Sequence, residues 1–315
     1  MRRMAKWSRW LGAALVVIVL GIAGWALHRQ LSGLDWQEVA TLLASLSVLQ
    51  LAAAVLLLGV SSLAYAAIDL LAAQQVGAQL APFRAWCSAT AAQGISLSTG
   101  KGMIVASLIR VRLFKAWGLI PPQAFGATLL SFIHGNVGLA ALILIVVGVG
   151  GPWPWHWWVA AAAAAGVASW LVFGWLWMRH SWTGMVWKGI EIRPPPLRVQ
   201  LVGLGAGFIE KLACVGLAWM LMPGEAGLGL LPFMAVFLVG LLVARASQVP
   251  GGLGVLEASI IGLWPDRDDE HKAVLVAGLL AFRLAYYLVP LIPGVLVLVL
   301  APRLGRVPTC ATASA

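Results

Sequence analysis

The sequence predicts an all-α polytopic membrane protein, and three observations carry that reading. Of its 315 residues, 61% are hydrophobic and only 10% charged, with a mean hydropathy of +0.93, a profile foreign to a water-soluble domain of this length. The apolar residues gather in runs of about 20 or more, the length that crosses a hydrocarbon layer roughly 30 Å thick. The Lys and Arg residues behind the net charge of +10 lie mainly in short segments between those runs. That distribution is a topology signal, so nucleic acid is set aside as a partner.

Taken in order, the apolar spans fall near 11–27, 48–73, 123–149, 156–178, 199–222, 229–246 and 272–300. The first follows a basic leader but lacks a convincing small-x-small cleavage site, so it is read as a retained helix rather than a signal peptide. Leu31 to Leu46 is amphipathic, with Asp35 at a capping position and Glu38 three residues on, and is expected at the outer interface. Trp153, Trp155, Trp157 and Trp158 cluster at the entry to one span, as an aromatic belt at headgroup level does.

Two further segments are apolar but interrupted. Residues 85–109 are broken around Gly94, Gly100 and Gly102, and residues 249–264 by Pro250, Gly251, Gly252 and Gly254. Both read as short, broken or re-entrant helices. Irregular backbone at membrane depth is tolerated only when buried in protein or facing a wet cavity, so the breaks point to a functional interior. They lie about 150 residues apart, each after apolar spans, the pattern of two structural halves around a midplane site. With both broken segments included, the expectation is about eight membrane passages.

Orientation follows from the basic segments. Arg2, Arg3, Lys6 and Arg9 precede the first span; Arg84, Arg110, Arg112 and Lys115 flank the first break; Arg179, Lys188, Arg193 and Arg198 fill the mid-chain loop; Arg303 and Arg306 follow the last span. All are assigned to the cytoplasm, which places both termini there and the acidic loop after Pro265 outside. Residues 1–308 form one integral membrane domain and 309–315 a tail. Cys87, Cys214 and Cys310 have no metal-type spacing, and no cofactor is expected.

A charge at membrane depth costs about 2.5–3.5 kcal/mol on insertion scales, so Asp69, Lys101, Glu210, Lys211, Arg245, Glu257 and Arg283 carry the most information. Tyr65 and Asp69 share a helix face, where the phenol can reach the carboxylate; the competing reading has Asp69 near enough to the helix end to meet water. Glu210 and Lys211 are adjacent, about 100° apart on a helix, and are expected to seek partners elsewhere: Arg283 or Arg245 for Glu210, Asp69 or Glu257 for Lys211. A purely structural ion pair is the alternative. Glu257 follows Pro250-Gly-Gly-Leu-Gly on the first turn of a resumed helix, whose amides suit an anion. Arg283 with Tyr286 and Tyr287 offers a forked donor and hydroxyls to a carboxylate or phosphate. Arg110 and Arg112 read either as headgroup contacts or as ordinary cytoplasmic flanking charge. His134 and Asn136 read as interhelical hydrogen-bonding groups.

Pro250-Gly-Gly-Leu-Gly-Val-Leu-Glu257, Phe-Arg283-Leu-Ala-Tyr-Tyr-Leu-Val-Pro290, and Arg110-Val-Arg-Leu-Phe114 with Tyr65 and Asp69 upstream resemble the lysylphosphatidylglycerol synthase transmembrane, or flippase-like, family over residues 10–302. The resemblance implies a module that moves charged lipids between leaflets. Tyr65, Asp69, Arg110, Arg112, Glu210, Lys211, Gly251, Gly252, Gly254, Glu257, Arg283, Tyr286 and Tyr287 then become its lipid-binding or translocation residues. The aminoacyl-transferase domain to which such modules can be fused has no counterpart here, so synthase activity is not carried over. The family's paired tyrosines are Val111 and Phe114, and Lys101 is added, departures that favour a different lipid.

The functional expectation is therefore a lipid translocator of the bacterial inner membrane whose partners are membrane lipids. Two other readings stay open. One is an accessory protein of a lipid pathway, hopanoid or glycolipid, that docks a biosynthetic enzyme through its basic loops. The other is an intramembrane lipid transferase, for which the sequence has neither metal-ligand spacing nor a nucleophile-base pair. Enzymatic activity is not expected, there is no Walker motif, and a homo-oligomer is compatible with the sequence.

Overall fold

The computed structural model describes residues 46–99, 102–118, 120–150, 156–179, 185–187, 190–192, 196–222, 229–247, 249–264 and 269–300, with Thr41, Ala44 and Pro154. The first span, most of the amphipathic segment, Lys101 and the tail lie outside them. The α-helices are α1 (Val48–Gln75), α2 (Pro82–Thr99), α3 (Gly102–Ala116), α4 (Pro121–Gly150), α5 (His156–Arg179), α6 (Leu197–Met220), α7 (Leu230–Ala246), α8 (Val255–Leu263), α9 (Asp269–Arg283) and α10 (Val289–Leu300). Five stretches among the described residues are long and apolar enough to cross a membrane: Val48–Gln75, Pro121–Val149, His156–Leu176, Leu197–Met220 and Leu275–Leu300.

The helices turn apolar side chains outward and polar ones inward. On α1, Leu63 is 65% exposed while Asp69 is 1% exposed; on α6, Ile209 is 48% exposed and its neighbour Glu210 is fully buried. This is what hydrocarbon demands, since lipid solvates leucine at no cost and a carboxylate at great cost. Helix ends are marked by local chemistry. Ser47 and Gln50 form a reciprocal capping box at the start of α1. Gly77, at φ +70°, ends it, with Ala78 N–H donating to the Ala73 carbonyl.

The first broken segment is a helical hairpin, and the second forms the turn and one arm of another. The arms α2 and α3 lie side by side, with Ala91, Ala92 and Ile95 packed among Val105, Ala106, Ile109 and Leu113. Their outer ends meet where the Arg84 guanidinium lies 5.8 Å from the centre of the Trp117 ring. The arms α7 and α8 also fold together: a side chain on Gly240 would meet Ile260 Cγ1 at 2.8 Å. Gly251, Gly252 and Gly254, at φ +63°, +60° and +74°, supply the left-handed residues that the second turn requires. This corrects the reading of 229–246 as a separate span; it is one arm of a hairpin with 249–264. A largely apolar helix of 17 residues nearly satisfies the length rule, and only the packing of α8 on α7 shows the chain turning back.

The second hairpin reaches the first, the Pro250–Gly252 turn lying against α2. Backbone contacts hold them to the last span. A Cβ at Gly94 would fall 2.6 Å from the Pro290 carbonyl carbon, and one at Gly294 3.0 Å from the Thr90 carbonyl oxygen. Just before, Leu284–Leu288 forms a π-helical turn in which Val289 N–H donates to the Leu284 carbonyl, five residues back. The pyrrolidine ring of Pro290 would otherwise press on the Tyr286 carbonyl, and the wider turn relieves it. A second close crossing joins α4 to α6. Gly207 lies against Gly138 and the His134 carbonyl, and Gly203 lies under the His134 ring, so small residues four apart let the backbones approach. The mid-chain segment departs from the all-helical expectation, since Met185–Trp187 and Ile190–Ile192 pair as a short antiparallel ribbon.

Candidate functional site

Three ion pairs, two of them buried and the third half-buried at Glu257, lie where α1, α3, α4, α6, α8, the end of α9 and the π turn converge. Arg110 on α3 grips Asp69 on α1 bidentately, Nε to Oδ2 at 3.0 Å and a terminal nitrogen to Oδ1 at 2.6 Å, and Ser131 on α4 donates to Oδ1 at 2.8 Å. The Arg283 side chain, 7% exposed, holds Glu257 with nitrogen-oxygen distances of 2.5 and 2.7 Å and also donates to the Gly252 carbonyl at 2.8 Å. Glu210 accepts from the Tyr286 hydroxyl at 2.6 Å and the Ser61 hydroxyl at 3.5 Å and pairs with Lys211. The Lys211 ammonium also lies 5.3 Å from the centre of the Tyr65 ring.

These partnerships revise the sequence reading. Tyr65 serves Lys211 rather than Asp69, and Asp69 is sealed in an ion pair rather than reaching water. Glu210 and Lys211 pair with each other, not with Arg283, Asp69 or Glu257. Their Cβ atoms diverge, but four methylenes on Lys211 and two on Glu210 are long enough to fold back across the gap. The forked Arg283 does meet a carboxylate and one of its tyrosines does so too, although the carboxylates are Glu257 and Glu210.

Beside the pairs is a cavity of about 400 Å³, within the range of small-ligand sites. Of the sequence-predicted residues, Tyr65, Arg110, Lys211, Gly251, Gly252, Tyr286 and Tyr287 line it. Asp69, Glu210 and Arg283 stand behind that wall, bonded to lining groups, and Glu257 stands behind Arg283. Arg112 and Gly254 are not among the lining residues. Arg112 follows Arg110 by two positions, about 200° around the helix, and so points away; Gly254 instead caps α8. Arg245 and Asn136, noted in the sequence for pairing alone, also line the cavity, as do Gln93, Ser96 and Ser131. The last three carry no charge, so nothing in a hydropathy reading distinguishes them from ordinary helix residues. For Gln93 and Ser96 the signal is the run of small and polar residues on α2 between Ser88 and Ser98, unusual inside an apolar helix. His134 stays structural, its Nδ1 2.7 Å from the Leu130 carbonyl oxygen and its ring edge-on to Trp170.

Among the described residues, the lining therefore presents three cations, Arg110, Lys211 and Arg245, and no Asp or Glu. Phe132 belongs to it while remaining 49% exposed on the outer face of α4, so the cavity reaches the lipid-facing surface. Such an arrangement can bind an anion from the side, in a medium where charge interactions are far stronger than in water.

No family profile matches the chain. It is similar to the uncharacterized protein slr0712 of Synechocystis, 27% identical over 290 residues that span 89% of this chain and 87% of the relative. It is also similar to the inner membrane protein YbhN of Escherichia coli, 27% identical over 270 residues that span 82% of each. Together with the apolar helices, the likeness makes this chain a multi-pass membrane protein.

Proposed function

We propose that the chain is a lipid translocator of the bacterial inner membrane, with both termini cytoplasmic, that moves a lipid with a charged or polar headgroup between leaflets. The observation that carries this reading is the cationic cavity lined by residues of both hairpins, open beside Phe132 to the lipid-facing surface. Irregular backbone and buried charge at this depth suit a substrate path better than a passive anchor. In this scheme a headgroup enters beside α4, the acyl chains stay in lipid, and movement of one hairpin tip against the other changes the side from which the cavity is reached. The resemblance to the flippase-like family supports the same reading, as does the inner-membrane placement in YbhN's name.

The test is leaflet exchange of headgroup-labelled lipids in proteoliposomes, with wild type and Arg110→Gln and Lys211→Gln variants compared at matched insertion and confirmed fold. Exchange by wild type and its loss in the variants is the expected result. No exchange by wild type with any lipid class, with or without an ion gradient, would overturn the proposal and leave an accessory role or lipid chemistry.

A further inference from the structure

We infer that the cavity selects an amine-free phosphate headgroup and rejects headgroups that carry an ammonium, with Lys211 as its adjustable contact. The inference rests on the cavity being a headgroup site and adds the class of headgroup. Arg110, Lys211 and Arg245 line it. The nearest carboxylates are withdrawn, Asp69 being 1% exposed against Arg110, and Glu210 fully buried against Lys211 and Tyr286. Glu257 is held by Arg283. Among the described residues, the groups that face the cavity include three cations and no carboxylate. An entering ammonium meets like charge at the wall and no carboxylate to receive it. A phosphate meets the donors of Arg110, Lys211 and Arg245, so the sign of the headgroup decides entry.

Lys211 is placed to answer the anion. Its ammonium has three N–H donors, and it both borders the cavity and pairs with Glu210. Glu210 also accepts from Tyr286 at 2.6 Å and Ser61 at 3.5 Å, so Lys211 can turn toward a phosphate without leaving a bare buried carboxylate. Gln93, Ser96 and Asn136 add neutral groups suited to ester and hydroxyl oxygens. The volume of about 400 Å³ accommodates a phosphate with a small polyol but no acyl chains.

The experiment titrates the purified full chain in neutral detergent with short-chain phosphatidylglycerol, phosphatidylcholine and lysyl-phosphatidylglycerol, and with inorganic phosphate, reading affinity by calorimetry. Phosphatidylglycerol is expected to bind at least tenfold more tightly than the two amine-bearing lipids. Arg245→Gln and the double variant Glu210→Gln/Lys211→Gln are expected to weaken phosphatidylglycerol binding at least tenfold. The double variant removes both charges together and keeps an acceptor for Tyr286, so its fold is protected. Equal or tighter binding of either amine-bearing lipid by wild type would overturn the inference, and that comparison needs no variant. Selective binding without leaflet exchange would uphold the headgroup class and sink the transport reading; exchange indifferent to headgroup would do the reverse. Inorganic phosphate competing on equal terms would keep the phosphate chemistry and remove the lipid as its source.

Discussion

Replacing Asp69 with Asn leaves Arg110 charged, about 95% buried and without its carboxylate. The native pair is bidentate, with Ser131 as a third donor on Oδ1, so its geometry is of the kind that offsets desolvation. Removing one partner of such a pair costs about 3–5 kcal/mol, because the remaining charge keeps its burial penalty and loses its compensation. At roughly 1.4 kcal/mol per tenfold, 3 kcal/mol shifts the folding equilibrium more than a hundredfold toward unfolding. Arg110→Gln is expected to cost a similar amount. The double variant Asp69→Asn/Arg110→Gln leaves two neutral amides in contact and should recover at least about 2 kcal/mol relative to the sum of the single effects. Equilibrium unfolding in mixed detergent micelles, followed by tryptophan fluorescence, supplies all four corners of the cycle. If the single variants prove as stable as wild type, or the double variant loses the full sum, then this pair does not join α1 to α3 as described.

Other outcomes follow from the same contacts. Gly94→Ala drives a methyl group into the Pro290 backbone and should cost about 1–3 kcal/mol, read as a lowered melting temperature. Gly252→Ala combines a φ of +60° with a 3.0 Å approach to Ala244 Cβ, so a loss of roughly 1–2 kcal/mol is expected in the same assay; no change would mean that the turn tolerates a side chain. Gly207→Leu should separate α4 from α6 and lose the fold outright, checked by protease resistance. If the first hairpin turns back, cysteines replacing Phe83 and Lys115 will react with an impermeant maleimide from one side of the membrane and one replacing Leu230 from the other. Labelling of Phe83→Cys and Lys115→Cys from opposite sides would refute it.

Much of the helical framework was legible because hydrocarbon imposes a simple rule. The runs read at 48–73, 123–149, 156–178 and 199–222 match α1, α4, α5 and α6 to within a few residues. The two breaks were legible from Pro and Gly, with re-entry among their readings, but that 229–246 is the other arm of the second one was not, since that pairing is set by contacts such as Gly240 on Ile260. Buried charges announced themselves by their cost. Their partners did not, because pairing depends on which helices become neighbours; Asp69 finds Arg110 only once α1 and α3 have both packed on α2 and α4. The Gly203-x-x-x-Gly207 spacing was visible in the sequence, yet its meaning required Gly138 on another helix. Gln93, Ser96 and Ser131 passed unnoticed because a neutral polar side chain barely disturbs the apolar pattern of a span.

The seating of α2 on α10 sets an order of events during synthesis. Residues 82–99 leave the ribosome long before residues 289–300, so α2 enters the bilayer with Gly94 and its alanine and serine neighbours still lacking the surface that covers them. Contacts separated by some 200 residues are slow to form, and the long loop they close is costly in chain entropy. The cavity therefore acquires its last wall only when the final helix arrives, bringing Tyr286 and Tyr287 with it. A chain halted before residue 284 would expose an unsealed polar cleft to lipid, a defect that membrane quality control can recognise.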